Sequence, residues 1–238
     1  MRHEFSDWCT AAHTFDMKTN QTGERLTIVS ELQFLPSTFY LALIGGADRY
    51  MIEQWENYNK GSFRNKCMTS GNQRFQYLII PLQKGKHRSQ SIRDVKISYD
   101  EDWITPMRHR LQTEFGSLPY FEYYIHGFEH ILSQQWEFLF DLNAHIFGHI
   151  VDLVGLPLPS FTSRYDSYHL PETLDLRDRI TPRFFRDQPR LMEPMDLDYF
   201  TFIPANTILE CLFSYGPETE LLLRKYGSYL KDNINGLF

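Results

Sequence analysis

The chain has 238 residues and a formal net charge of −6, with 42% hydrophobic and 16% aromatic residues. This length is typical of one large globular domain, and the composition excludes a disordered, collagen-like or coiled-coil chain. The acidic balance argues against general affinity for nucleic acid, because such affinity depends on many Lys and Arg contacts to phosphate.

The apolar runs are short. The longest, residues 39–44, is far below the roughly 18–20 residues that span a bilayer, and no apolar segment follows the first charges as in a secretory signal. Cys9, Cys67 and Cys211 are too scattered to predict a disulfide framework or a Cys-based zinc site. We therefore expect a cytoplasmic protein with no membrane span, no metal and no cofactor.

The first predicted elements alternate between strand and helix. Residues 1–24 are polar and aperiodic, and we interpret them as a tail before a single domain of residues 25–238. A short β-branched run at 26–29 is followed by an apolar helical run at 36–46, which Pro36 and Ser37 open and two glycines close. A second short strand at 49–54 completes a predicted βαβ start, with the two strands parallel.

Four further elements follow before the proline-rich part of the chain. Residues 75–82 and 95–99 are predicted as strands of a hairpin, because the first run is aromatic and β-branched and the second alternates at period two. The basic loop 83–91 would join them. Helices are predicted after Asp102 and over 137–156, where apolar residues recur every three or four positions. The fold class is therefore α/β, a mixed sheet flanked by helices.

Residues 157–204 hold seven of the twelve prolines and six arginines but no lysine. No regular period persists there, so we predict a long irregular segment that serves as a flap with anion contacts. Asn206 is the predicted N-cap of a helix that ends at Gly216, and Pro217 begins the last helix.

Two histidine patterns raise the question of a metal site. Residues 126–130 match H-x-x-E-H, the order of zinc peptidases in which two histidines bind the metal and the glutamate is the base. His145 and His149 share a helical face with two aspartates, opposite the apolar stripe. We favour packing and a solvated polar face for these patterns. Zinc hydrolysis is kept as a third function, after the two that are named below.

The densest polar stretch, residues 53–66, directly follows a predicted strand, and ligands of open α/β sheets bind at the carboxyl ends of strands. Its carboxylates, amides and cations among aromatics suit a polyhydroxylated or phosphorylated ligand, whereas the alternative is a solvated loop. Glu53 and Glu56 are the candidate general bases. The candidate substrate-binding residues are Gln54, Asn57, Tyr58, Ser62, Arg64, Asn65 and Lys66, with Arg177 from the later segment.

This stretch, YMIEQWENYNKGSFRNK, together with ELQFLPSTFYLAL before it and LIIPLQKG, FEYY, FLFDLN and LDLRDRITPR after it, resembles the WbqC-like protein family of bacteria. The resemblance runs from about residue 26 to 226. Members occur among genes for O-antigen and other surface polysaccharides, with a glycyl or other acyl transfer to a sugar proposed for some. The resemblance thus implies a transferase whose partner is a small activated sugar or acyl donor, and leaves the oligomeric state open.

One departure from the family pattern concerns residues 30–36. Many members have His-Gln-Pro shortly before an aromatic-x-Pro, whereas this chain reads Ser-Glu-Leu-Gln-Phe-Leu-Pro. If that histidine is a base, Glu31 can replace it only with a suitably placed pKa. A non-catalytic sugar-nucleotide-binding or scaffold protein is therefore the second alternative. We also expect Arg64 to be exposed, so that Arg64→Ala weakens ligand binding without changing the melting temperature.

Overall fold

The computed structural model describes residues 26–71, 74–85, 89–166 and 173–233, so the predicted tail at 1–24 lies outside the described residues. The strands are β1 (Thr27–Glu31), β2 (Arg49–Glu53), β3 (Lys66–Gly71), β4 (Arg74–Ile79), β5 (Ser160–Phe161), β6 (Thr173–Asp175), β7 (Met195–Leu197) and β8 (Phe200–Phe202). The α-helices are α1 (Thr38–Gly45), α2 (Ile104–Phe115), α3 (Phe121–Ser133), α4 (Leu139–Leu153), α5 (Pro182–Asp187), α6 (Ile208–Tyr215) and α7 (Thr219–Asn233). Short 3₁₀ turns lie at Ile92–Asp94, Pro189–Met192 and Gly216–Glu218.

The predicted βαβ start is confirmed. β1 and β2 pair in parallel from Thr27 opposite Arg49 to Glu31 opposite Glu53, with α1 between them. Ser37 caps α1, because its side chain accepts a hydrogen bond of 3.2 Å from the backbone N–H of Tyr40. All residues of α1 before its final glycine are buried, so this helix is hydrophobic all round and forms part of the core.

β1 and β2 belong to a parallel sheet of four strands in the order β5-β2-β1-β6. From β1 the chain adds β2 and then β5 on one side, and it returns to place β6 on the other side of β1. The strand order therefore reverses between β1 and β6, and this is the topological position at which open α/β sheets bind ligands.

The predicted hairpin exists, but with a different partner. β4 pairs antiparallel with β3, whereas residues 95–99, predicted to be its partner, form isolated bridges from Ile97 to Leu82 and from Lys96 to Phe138. The alternation matches burial at Val95 and Ile97, which are fully buried, but not beyond them, since Ser98 is buried and Tyr99 is exposed. The predicted pairing is therefore confirmed only next to β4, where the backbone N–H of Ser98 donates to Pro81 O at 2.9 Å and that of Gln83 donates to Lys96 O at 3.0 Å. Alternation indicates a half-buried extended segment and does not identify all of its hydrogen-bonding partners.

The helices predicted after Asp102 and over 137–156 are present as α2 and α4. The Asp102 carboxylate accepts hydrogen bonds of 3.1 Å from the backbone N–H groups of Ile104 and Thr105, as a capping residue does. The buried stripe of α4 comprises Leu139, Leu142, Ile146 and Ile150.

The proline-rich segment is more ordered than predicted. Much of residues 157–204 runs as loops, yet the described part contains β5 to β8 and α5, and two of these strands complete the parallel sheet. Leu176, Ile180 and Phe185 are fully buried. The described prolines of this segment are accommodated because they lie in loops or, as Pro182 does, at the start of a helix. The N-cap predicted at Asn206 is one residue early, since Thr207 caps α6.

Within the described ranges, none of the helices has the length and apolar character needed to cross a membrane.

Candidate functional site

Polar side chains from distant parts of the sequence meet at the carboxyl ends of the parallel strands. Glu31 ends β1, Glu53 ends β2, Thr162 directly follows β5, and Arg177 lies just beyond β6. We call this set the strand-end cluster. Its members are Glu31, Gln33, Glu53, Gln54, Glu56, Arg64, Thr162, Asp175, Arg177 and Asp178.

Arg177 joins the ends of β2 and β6. Its guanidinium donates to Glu53 Oε2 at 2.9 Å and forms a bidentate contact with Asp175. Thr162 Oγ1 donates to Glu53 Oε1 at 2.8 Å, so both oxygens of this buried carboxylate are occupied. Burial by itself raises the pKa of Asp175, but the hydrogen bonds from Arg177 reverse this effect and hold the pKa below its usual value. The network holds its carboxylates in fixed positions.

Arg64 joins the polar loop to the end of β6. It makes a bidentate ion pair with Glu56, and its Nη1 donates to Asp178 Oδ1 at 2.9 Å. Burial raises the pKa of Glu56 to about 7, although Arg64 acts in the opposite direction. Asn143 of α4 donates to the peptide oxygen of Arg64 at 2.6 Å. The expected exposure of Arg64 is wrong, because its side chain is fully buried between its partners.

Glu31 lies where the strand order reverses, between β1 and β6. Its fully buried carboxylate accepts hydrogen bonds from Gln33 Nε2 at 2.8 Å and from the backbone N–H of Asp178 at 3.0 Å. Within the described ranges it forms no ion pair. Gln33 Nε2 also donates to Ile180 O at 3.2 Å, while Gln33 Oε1 is buried without a hydrogen-bond partner. The two neutral donors fix the orientation of this carboxylate.

Backbone strain accompanies this crevice. Leu35 has φ 43° and Asp178 has φ 58°, and both are left-handed conformations that residues other than glycine seldom adopt. Leu35 follows β1 and Asp178 follows β6, so the strained positions flank the crevice from both sides. Leu35 is the stronger indication of a functional site, because aspartate enters this region more readily, as Asp198 with φ 55° does in the turn between β7 and β8.

The cluster has a rim of exposed side chains that the sequence did not single out. Trp55 has 45% of its surface exposed, the side chain of Asp178 has 51%, and Arg93 is exposed with its guanidinium 5.1 Å from the indole centroid of Trp55. Only the adjacency of Trp55 to Glu53 and of Asp178 to Arg177 could have indicated them. These groups are accessible to a ligand, whereas the charged groups beneath them are not.

The remaining residues of the predicted site divide between loop and hairpin. The hydroxyl of Tyr58 donates to Asn65 Oδ1 at 3.0 Å, and Asn65 Nδ2 donates to Ile80 O at 2.9 Å, so both side chains hold the loop against β4. Lys66 lies in β3 with its ammonium 5.2 Å from the ring centroid of Tyr77. Their roles in binding stay predictions.

Two residues nearer the tip of the loop differ in exposure. Ser62 is fully buried, and its hydroxyl donates to Asn59 O at 2.6 Å. Asn57 is exposed and forms an isolated bridge with Ser91. Of these two side chains, Asn57 is the one that a ligand can reach.

The H-x-x-E-H residues lie on α3. His126 Nδ1 is 3.5 Å from Glu129 Oε2, and His130 Nε2 lies 3.3 Å from the amide of Gln134. Across the described ranges, no three or more His, Cys, Asp or Glu side chains are arranged to hold a metal ion. The side chain of His126 is 74% exposed, so the geometry favours a position on the solvated surface for this motif.

The second histidine pair lies on a half-buried face of α4. His145 packs against Trp136 with ring centroids 4.2 Å apart and tilted planes, and His149 packs edge-on against Phe128. Gly127 makes room for His149, because a Cβ at this position would collide with the imidazole. Burial lowers the pKa of His149. The expected polar face is the least buried side of α4, since Asp152 is exposed and Asp141, His145 and His149 are half-buried, and α3 with its following turn covers the two imidazoles only in part.

Comparisons with known proteins agree with the sequence resemblance. The model of the WbqC-like protein family matches residues 33–180, which is more than half of the chain and includes Glu53, Glu56, Arg64 and Arg177. Neither the curated proteins nor the solved structures contain a match. The chain belongs to the WbqC-like protein family.

Proposed function

We propose that this protein is a transferase of bacterial surface-polysaccharide biosynthesis that acts on an activated sugar at the strand-end cluster. Family membership suggests the role in polysaccharide-related biosynthesis. An acyl or glycyl transfer is the step that the family resemblance implies. The observation that supports a site here is the convergence of three buried glutamates and two arginines at the carboxyl ends of the parallel strands.

Burying this many charged side chains costs free energy of folding. An ion pair taken out of water loses hydration that its own attraction only partly restores, and apolar residues of similar volume often serve stability as well. Preorganised charges, in contrast, can stabilise charge that develops during a reaction. We therefore interpret the cluster as a scaffold that fixes accessible groups for chemistry.

Asp178 is the accessible group that this scaffold holds most closely. Its Oδ1 accepts hydrogen bonds of 2.9 Å from Arg64 and from Asn59 Nδ2, and its backbone N–H donates to Glu31. A carboxylate held in this way can remove the proton from an acceptor hydroxyl or amine as it attacks the donor. We assign Asp178 the role of general base.

The three glutamates named from the sequence then act through other groups. Glu31 orients the backbone of Asp178, Glu56 holds Arg64, and Glu53 holds Arg177. In this proposal they are positioning residues, because each is buried and none can touch a ligand in this conformation.

Asp178→Asn tests the proposal. Asparagine tolerates the left-handed conformation and still accepts a hydrogen bond from Arg64, so the fold should persist while the base is lost. Mass spectrometry measures product formation from a panel of nucleotide sugars and acyl or aminoacyl thioesters. The rate of product formation should fall about 10²- to 10⁴-fold in this variant. Asp198→Asn is the matched control, since Asp198 has φ 55° in the turn between β7 and β8. Equal activity in both variants would remove Asp178 from the mechanism.

The second candidate is a non-catalytic sugar-nucleotide-binding protein, and the complete burial of Glu31 and Glu53 favours it. Binding without turnover distinguishes it from the transferase. If nucleotide sugars raise the melting temperature and no donor of the panel yields product, the binding role is correct.

A further inference from the structure

Trp55 combines exposure with immobility. Its indole N–H donates to Thr162 O at 2.8 Å, and its backbone N–H donates to Glu53 Oε1 at 2.8 Å, although 45% of the residue is exposed. These two bonds attach it to the ends of β5 and β2. A large aromatic surface that is held in place before binding loses little conformational entropy when a ligand stacks on it.

Arg93 is a cation of this edge whose charge is not neutralised by a carboxylate. Its guanidinium lies 5.1 Å from the indole centroid, and Nη1 donates to Gln54 Oε1 at 3.3 Å. Among the described residues it forms no ion pair, whereas Arg64 and Arg177 are bound by carboxylates. Gln54 is itself held, because its Nε2 donates to Thr162 O at 2.7 Å. The remaining N–H donors of Arg93 therefore lie over one face of a fixed aromatic ring.

An aromatic ring with a guanidinium over one face is suited to a nucleotide that stacks its base on the other face. Bases stack on aromatic side chains with little dependence on sequence, and the planar fork of arginine matches phosphate oxygens. The position also suits the rest of an activated sugar. Neighbouring strands lie about 4.8 Å apart, so the ends of β2 and β6 are separated by roughly 10 Å, across which the sugar can reach Asp178.

We propose that Trp55 and Arg93 form the subsite for the nucleoside diphosphate of the activated sugar, with the base on the indole and the phosphates on the guanidinium. This inference rests on the proposed function and adds the residues that select the carrier. It also gives a direction to the bound ligand, with the nucleotide over the β2–β5 side and the reacting sugar over the crevice between β1 and β6.

Binding of nucleoside diphosphates to the full chain tests this subsite. The probes are UDP, dTDP, GDP and ADP, with inorganic pyrophosphate as the reference that lacks a base, and affinity is measured by titration calorimetry. Trp55→Ala should weaken the best nucleoside diphosphate about 5- to 150-fold and leave pyrophosphate unchanged. Arg93→Gln should weaken both about 10- to 150-fold.

Three further variants control for folding and for general charge. Trp55→Phe keeps an aromatic face and should retain most of the affinity, which separates stacking from a folding defect. Tyr123→Ala and Arg108→Gln remove an exposed aromatic ring and an exposed guanidinium elsewhere, and neither should change binding.

Wild-type affinity in both Trp55→Ala and Arg93→Gln would overturn the subsite. So would failure of the wild-type chain to bind any of the four nucleoside diphosphates. Product formation in the Asp178→Asn experiment judges the transferase itself, so the subsite can be wrong while the proposed function stands.

Discussion

Two polar clusters of this protein, both largely withdrawn from water, contain carboxyl groups with very different partners. In the strand-end cluster, two arginines satisfy carboxylates with charge-assisted hydrogen bonds. The second region lies where β3 meets α2 and α6, and we call it the hairpin cluster. Its members are Thr69, Ser70, Glu114, Asn206 and Glu210.

The hairpin cluster has much less compensation. Its nearest cation is Arg110, whose Nε is 3.7 Å from Glu114 Oε2. Three of its buried oxygens have no hydrogen-bond partner, compared with one in the strand-end cluster. They are Thr69 Oγ1, Glu114 Oε1 and Asn206 Oδ1. Burial consequently raises the pKa of Glu114 and that of Glu210.

The comparison separates two uses of buried polarity. Where guanidinium groups accompany the carboxylates, removing one partner leaves the other stranded, so the cluster is strongly coupled. Where carboxyl groups are buried with few partners, each polar group is a small independent cost. We therefore expect mutations in the strand-end cluster to be severe and non-additive, and conservative mutations in the hairpin cluster to be neutral or stabilising.

The largest expected effect is that of Arg64→Met. Methionine fills similar space but leaves the Glu56 carboxyl buried without its cation, so the free energy of unfolding should fall by about 3–5 kcal/mol. Urea unfolding followed by far-UV circular dichroism measures this change. This prediction replaces the sequence-based expectation that Arg64 could be removed without loss of stability.

A double-mutant cycle shows whether the loss comes from the pair. Glu56→Gln together with Arg64→Met should be less destabilising than the sum of the two single variants, because the second change removes the stranded carboxyl. Strict additivity would mean that the two side chains stabilise the fold independently, and the contrast between the clusters would lose its basis.

A matched pair of threonines gives the next largest effect. Thr162 and Thr69 are both fully buried, but Thr162 Oγ1 donates to Glu53 and accepts from the backbone of Gln54, whereas Thr69 Oγ1 makes no hydrogen bond of good geometry and only lies close enough to the Glu114 carboxyl to lower its pKa. Valine has nearly the same shape as threonine. Thr162→Val should therefore cost about 1–3 kcal/mol of unfolding free energy, and Thr69→Val should be neutral or stabilise by up to about 1 kcal/mol.

Thermal and urea unfolding of both variants, measured side by side, decide this point. Equal destabilisation by the two substitutions would show that Thr69 is as well satisfied as Thr162. The distinction between the clusters would then fail at the level of single hydroxyl groups.

Local sequence patterns predicted those parts of the fold that local interactions determine. β1, α1 and β2 follow from a β-branched run, a capping serine and an apolar helix, which are all read within about ten residues. β3 was missed because Lys-Cys-Met-Thr-Ser-Gly has neither alternation nor a β-branched run. Its existence depends on pairing with β4, and pairing is a property of the folded chain.

The site shows the same division. Its position after β2 was predictable from the polar stretch and from the rule for open sheets. The burial of Arg64 was not, because one of its partners, Asp178, lies 114 residues further along the chain. Asp178 and Trp55 could have been noticed only as neighbours of predicted residues. Residue type alone does not indicate whether a side chain is exposed or which backbone conformation it has.

The smallest effect, and the one that separates the clusters by charge state, is the pH dependence of Glu114→Gln. A carboxyl whose pKa is raised on folding binds its proton more tightly in the native state. It therefore destabilises the fold once the pH exceeds the unfolded value of about 4.3, and the cost grows until the pH passes the native pKa. Glutamine is neutral throughout and avoids this cost.

Relative to the wild-type chain, Glu114→Gln should gain unfolding free energy, on the order of 1 kcal/mol, at pH 8, and the gain should vanish near pH 4. Glu210→Gln should behave alike, because burial and, to a smaller extent, the charge of Glu114 raise the pKa of Glu210. Urea unfolding from pH 4 to pH 8 measures the difference, with the exposed Glu193→Gln as the control that shows no such trend. A gain that grows as the pH falls would mean that the hairpin carboxylates are held ionised after all, as Asp175 is by Arg177.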